Sequence, residues 1–67
     1  MDIWHATVYA YGKIYDEDRV GREAAQQWVA EKLNELGYAG ESRWECDTDV
    51  CQAKMRPDLT ARVQRRT

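Results

Sequence analysis

The chain has 67 residues, of which 43% are apolar and 33% are charged. A chain of this length buries only about 60% of the surface that its unfolded form exposes, which leaves room for one thin core and excludes a second domain. The apolar content and the mixed signs of the charges argue against a disordered chain. We therefore predict one folded domain over residues 1–67, without linker or internal repeat.

The formal net charge of −2 is unevenly distributed. Residues 1–51 carry five Lys and Arg against eleven Asp and Glu, whereas residues 52–67 carry five against one. An acidic body with a basic tail is not typical of a protein dedicated to nucleic acid. No apolar run approaches the roughly 20 residues that cross a bilayer, and no secretory signal opens the chain, so we expect a cytoplasmic protein without membrane contact.

Apolar and polar residues alternate from Ile3 to Tyr15, which predicts a strand over residues 3–15. One side is apolar and suits a sheet face beneath a helix, whereas the other is polar and rich in tyrosine. The first side carries Trp4, Ala6, Val8, Ala10 and Ile14, and the second carries His5, Thr7, Tyr9, Tyr11, Lys13 and Tyr15. We expect the second side to face solvent or a partner.

A helix is predicted over residues 18–36. The acidic run Asp16–Asp18 precedes an apolar stripe with helical spacing, and carboxylates favour the positive end of a helix dipole. Gly37 fits the left-handed residue that ends many helices, and Tyr38 is placed to pack back onto Leu33.

Alternation returns after Gly40 and predicts strands over residues 41–46 and 50–56, joined by a turn at Asp47–Asp49. Residues 59–65 are expected to form either a short edge strand or a frayed basic tail. The fold predicted is α+β: a two-layer sandwich of order β-α-β-β, with a further strand if residues 59–65 are ordered. One helix packs on an antiparallel sheet, and the other sheet face stays open.

Catalytic chemistry is not expected. The only histidine, His5, shares the solvated strand face with the tyrosines, whereas Cys46 and Cys51 fall on the helix-covered face. We expect reduced core thiols, ahead of a cross-strand disulfide and of a zinc site formed by both thiols, His5 and an aspartate. The prediction is accordingly a protein that is not an enzyme, with no cofactor and no metal site.

The open sheet face is the candidate binding surface. Its predicted partner-binding residues are Tyr9, Tyr11, Tyr15, Asp16, Glu17 and Asp18. Exposed aromatic rings on a rigid strand are good anchors for a protein partner, although tyrosine is also simply a good strand former. The acidic run suits a partner with a basic surface.

Two other interpretations of this surface stay open. Single-stranded nucleic acid would stack on the aromatic face while Arg62, Arg65 and Arg66 contact phosphates. A homodimer formed through an exposed strand edge is the third interpretation.

In size, acidity and strand, helix, strand order, the chain resembles small phage-encoded inhibitors of the anti-CRISPR type. The resemblance covers the whole chain and rests on architecture, not on a motif. It implies an inhibitor that occupies the surface of a host protein without chemistry, and it carries over no residue role.

Overall fold

A computed structural model describes residues 2–66; Met1 and Thr67, the ends of the predicted domain, lie outside the described residues. One helix packs against a five-stranded antiparallel sheet, which confirms the α+β class. The elements in chain order are β1 (Ile3–Ala10), β2 (Lys13–Val20), α1 (Arg22–Glu35), β3 (Trp44–Cys46), β4 (Val50–Arg56) and β5 (Leu59–Arg65). The order β-β-α-β-β-β has one more strand before the helix than predicted.

The predicted strand over residues 3–15 is wrong, because the chain reverses at Tyr11 and Gly12 to form a hairpin. Both residues have positive φ, 51° and 82°, as a two-residue turn of the primed type requires. Ala10 pairs with Lys13 across this turn. The alternation therefore changes side at the turn, so that Ile14 lies on the open face beside Tyr9.

The helix begins at Arg22, not at residue 18, because the acidic run Asp16–Asp18 belongs to β2. Gly21 precedes the helix at φ 92° and donates its N–H to the carbonyl of Asp2 over 2.8 Å. The predicted end is confirmed. Gly37 has φ 89°, and the N–H of Tyr38 bonds the carbonyl of Leu33 over 2.9 Å, the pattern of a Schellman cap.

The strand predicted over residues 41–46 begins only at Trp44, whereas its hairpin partner has the predicted bounds. The tail is an ordered strand in the centre of the sheet, not an edge strand: the order is β2-β1-β5-β4-β3. Its alternating residues Leu59, Ala61 and Val63 are at most 3% exposed, so their burial explains why the basic segment is ordered.

The core lies between α1 and one face of the sheet. Helix residues Ala25, Val29 and Leu33 pack there. The sheet contributes Trp4, Ala6, Val8, Ala10, Cys51, Ala53, Leu59, Ala61 and Val63. The helix packs on β1, β2 and β5, and the opposite sheet face carries no covering element among residues 2–66. Within the described part of the chain, no helix is long and apolar enough to cross a membrane.

Candidate binding surface

All six residues predicted to contact a protein partner lie on the β1–β2 hairpin, but they do not share one surface. Tyr9, Asp16 and Asp18 have the register of the open face. Tyr15 lies opposite Val8 on the helix-covered face and packs partly against the core, with the ammonium of Lys32 5.3 Å from its ring centroid. Glu17 also lies on the helix-covered face, and Tyr11 occupies the turn.

The hairpin end exposes an apolar cluster, here named the hairpin tip patch: Tyr9, Tyr11 and Ile14. Their relative exposures are 43%, 51% and 65%, so all three residues are exposed to solvent. Tyr9 and Ile14 are direct cross-strand partners, which places their side chains next to each other on the open face. The alternation of the sequence had placed Ile14 on the covered side. Gly12 was the signal of a two-residue turn, and a turn there would have moved Ile14 to the open face.

A carboxylate–histidine cluster lies at the other end of the hairpin: His5, Asp16, Asp18 and Arg66. Nδ1 of His5 is 2.6 Å from Oδ1 of Asp18, and its Nε2 is 3.4 Å from Oδ2 of Asp16. Nη1 of Arg66 is 3.1 Å from Oδ2 of Asp18. The hydrogen bond from His5, then the bond and charge of Arg66, lower the pKa of Asp18 despite an opposing desolvation effect.

Each of the three carboxylates of the acidic run therefore has a partner within the molecule. Glu17 forms an ion pair with Arg19 on its own strand. Of the tail arginines predicted to contact phosphates, Arg66 belongs to the cluster, and Arg65 pairs with Asp2 over 3.0 Å and lies 3.6 Å from a carboxylate oxygen of Asp49. Many of the charged side chains that were expected to contact a partner thus form ion pairs within the molecule.

A shallow basic depression of about 590 Å³ lies on the open face beside the hairpin tip patch. Its polar lining consists chiefly of Tyr9, Arg43, Glu45, Gln52, Lys54 and Arg62. The sheet register explains this grouping: Thr60 on β5 pairs with both Tyr9 and Lys54, and Arg62 pairs with Gln52. The alternation of single strands does not reveal that Lys54 and Arg43 lie near Tyr9, because the pairing of strands distant along the chain brings them together.

The two cysteines are joined in a disulfide, so the prediction of reduced thiols is wrong. Cys46 on β3 and Cys51 on β4 are directly opposed, with their Cα atoms 4.0 Å apart. Neither sulfur is then a free nucleophile or a thiolate ligand, and residues 2–66 contain no group of three metal-ligating side chains arranged around a common point.

Comparison with known proteins gave no match: no family model, no curated protein and no solved structure matches this chain.

Proposed function

We propose that this protein is a non-enzymatic module that binds a protein partner through the open face of its sheet. The observation that carries the proposal is the hairpin tip patch, three large side chains at the turn end of the β1–β2 hairpin that are 43% to 65% exposed. Tyrosine contributes a large contact area and loses little conformational entropy on binding, because its side chain has few rotamers.

The strand that carries Tyr9 also favours recognition of a partner's surface. Tyr9 stands on β1, which pairs along its length with β2 and along most of it with β5, so the ring is presented from a strand that is hydrogen-bonded on both sides. A preorganised anchor avoids the ordering cost that a loop residue incurs when it binds. In keeping with the resemblance to small phage-encoded inhibitors, we propose that the module acts by occupying the surface of a host protein.

The arrangement of the reactive side chains supports binding rather than catalysis. The two ring nitrogens of His5 lie beside the carboxylates of Asp16 and Asp18, and both cysteine sulfurs are in the disulfide. Pairing of a nucleophile with a base requires a free hydroxyl or thiol within hydrogen-bond reach of the ring.

Partner capture with matched variants tests this function. The double variant Tyr9→Ser, Ile14→Ser removes the two cross-strand partners of the patch, and we expect it to lose the proteins that the wild type retains from a host lysate. Val20→Ser is the control, because Val20 is 58% exposed on the same face of β2 but at its far end. The same set of captured proteins for all three chains would overturn the proposal.

Single-stranded nucleic acid remains a second candidate, favoured by one observation: the cations of the basic depression flank the ring of Tyr9. Against it, Arg65 and Arg66 are already paired with carboxylates. A salt titration of binding to single-stranded RNA tests it, since phosphate contacts weaken steeply as salt rises. No binding at low salt would eliminate this candidate.

A further inference from the structure

The carboxylates in one half of the open face have partners within the described part of the molecule, whereas the cations in the other half do not. On the β1–β2 side, the aspartates of the carboxylate–histidine cluster face an arginine and an imidazole. In the basic depression, Arg43, Lys54 and Arg62 form no ion pair with any carboxylate between residues 2 and 66. The half of the face that is free to pair with a partner is therefore positive, although the chain as a whole carries −2.

The unbalanced cations adjoin the apolar anchors. Lys54 and Tyr9 flank Thr60 from opposite sides, on three adjacent strands. Arg62 occupies the next position of β5 on the same face. Neighbouring strands lie about 4.8 Å apart, so a short segment of a partner spans the tip patch and the cations together.

The mixed chemistry of the surface fits a protein better than a nucleic acid. Glu45 lines the same depression as the cations, and Asp16 lies on the adjoining strand of the face, so a run of phosphates would meet carboxylates on both sides. One ring, Tyr9, is available for stacking in the depression, and its cross-strand neighbour Ile14 is aliphatic. Aliphatic side chains pack against apolar residues of proteins.

We infer that the partner presents an acidic segment next to an aromatic or aliphatic residue. The apolar residue packs on Tyr9 and Ile14, and the acidic side chains pair with Arg62 and Lys54. This inference rests on the proposed function and makes its partner specific. The acidic run Asp16–Asp18 had suggested a partner with a basic surface, whereas the partner inferred here is acidic.

Selection from a displayed library of short random peptides tests this partner chemistry on the full chain. We expect the enriched peptides to combine Asp or Glu with an apolar residue, and to bind less tightly as salt is added. Arg62→Glu and Lys54→Glu should each weaken their binding about tenfold or more. Arg22→Glu, the same kind of charge reversal at an exposed position on the first turn of α1, is the matched control and should bind like the wild type.

The outcomes separate this inference from the function on which it rests. Peptides that lack acidic residues, or charge reversals without effect, would overturn the acidic partner while loss of binding in Tyr9→Ser, Ile14→Ser still upheld the proposed function. Unchanged binding in that double variant would overturn the function itself. Tighter binding to a short single-stranded RNA than to the enriched peptides, or a library that yields no binding peptide, would also overturn the inference. Unfolding midpoints close to that of the wild type would establish that every variant is folded.

Discussion

The two hairpins at the edges of the sheet are held together in different ways. The β1–β2 hairpin pairs eight residues with eight, and α1 packs on both of its strands. The β3–β4 hairpin has three residue pairs, and the backbone of its strands lies farther from α1 than that of β1 and β2. Each hairpin has one link between directly opposed side chains, the hydrogen-bonded pair His5–Asp18 in the first and the disulfide Cys46–Cys51 in the second.

The difference teaches where a strand pair needs covalent support. A long ladder beneath a helix is stabilised by backbone hydrogen bonds and buried apolar area, so an exposed polar pair adds little to it. An isolated two-stranded ladder is at best marginally stable in water, and three residue pairs at the edge of a sheet approach that case. The long hairpin thus supplies the fixed anchors Tyr9 and Ile14, whereas the stapled hairpin positions Glu45 of the basic depression.

The largest effect is expected where the long hairpin joins the centre of the sheet. Leu59 is fully buried opposite Ala10, and Leu59→Ala should lower the free energy of unfolding by about 3 kcal/mol because it leaves a cavity. Urea unfolding measures the change. Thr60→Ala, the next residue on the open face, is the control and should cost less than about 1 kcal/mol. Equal losses in both variants would show that packing at this junction is not what holds the hairpin.

A smaller effect is expected from the staple of the short hairpin. Cys46 and Cys51 are five positions apart, and opening so short a loop should lower the free energy of unfolding by about 2 kcal/mol. Thermal unfolding with and without a dithiol reductant measures the loss, and Cys46→Ser, Cys51→Ala should be insensitive to the reductant. Hydrogen exchange should accelerate in β3 and β4 before it does in β1 and β2. Uniform acceleration in both hairpins would contradict the comparison.

Local signals were sufficient to predict the fold class and one helix boundary. Alternating residues indicated strands, and Gly37 indicated the end of the helix because few other residues adopt its left-handed conformation. The turn at Tyr11 was missed because tyrosine is rarely found at positive φ, and the alternation on both sides of the turn resembles one continuous strand. The acidic run Asp16–Asp18 then appeared to precede a helix, although it lies within β2.

The candidate site was predictable only in part, for a reason of topology. Tyr9 was assigned to the open face from the alternation of β1 alone. Its neighbours Lys54 and Arg62 depend on the insertion of β5 between β1 and β4, which is a pairing between residues far apart in the chain. Periodicity reports the face on which a side chain lies, and it does not report which strand is adjacent.

The smallest effect is expected at the polar link of the long hairpin. His5 and Arg66 hold the pKa of Asp18 below its ordinary value of 3.8, to which it returns in the unfolded chain. Ionised Asp18 therefore favours the folded state above pH 3.8, and this stabilisation is lost as the pH falls through the lower folded pKa. The difference in unfolding free energy between wild type and Asp18→Asn should accordingly shrink below pH 3.8. Urea unfolding across that range measures this difference. The difference should stay below the loss caused by reducing Cys46–Cys51, because Asp18 is exposed to solvent.

Asp58→Asn is the control, because no described cation forms an ion pair with Asp58. The same pH dependence in that variant would mean that the link to His5 is not its source.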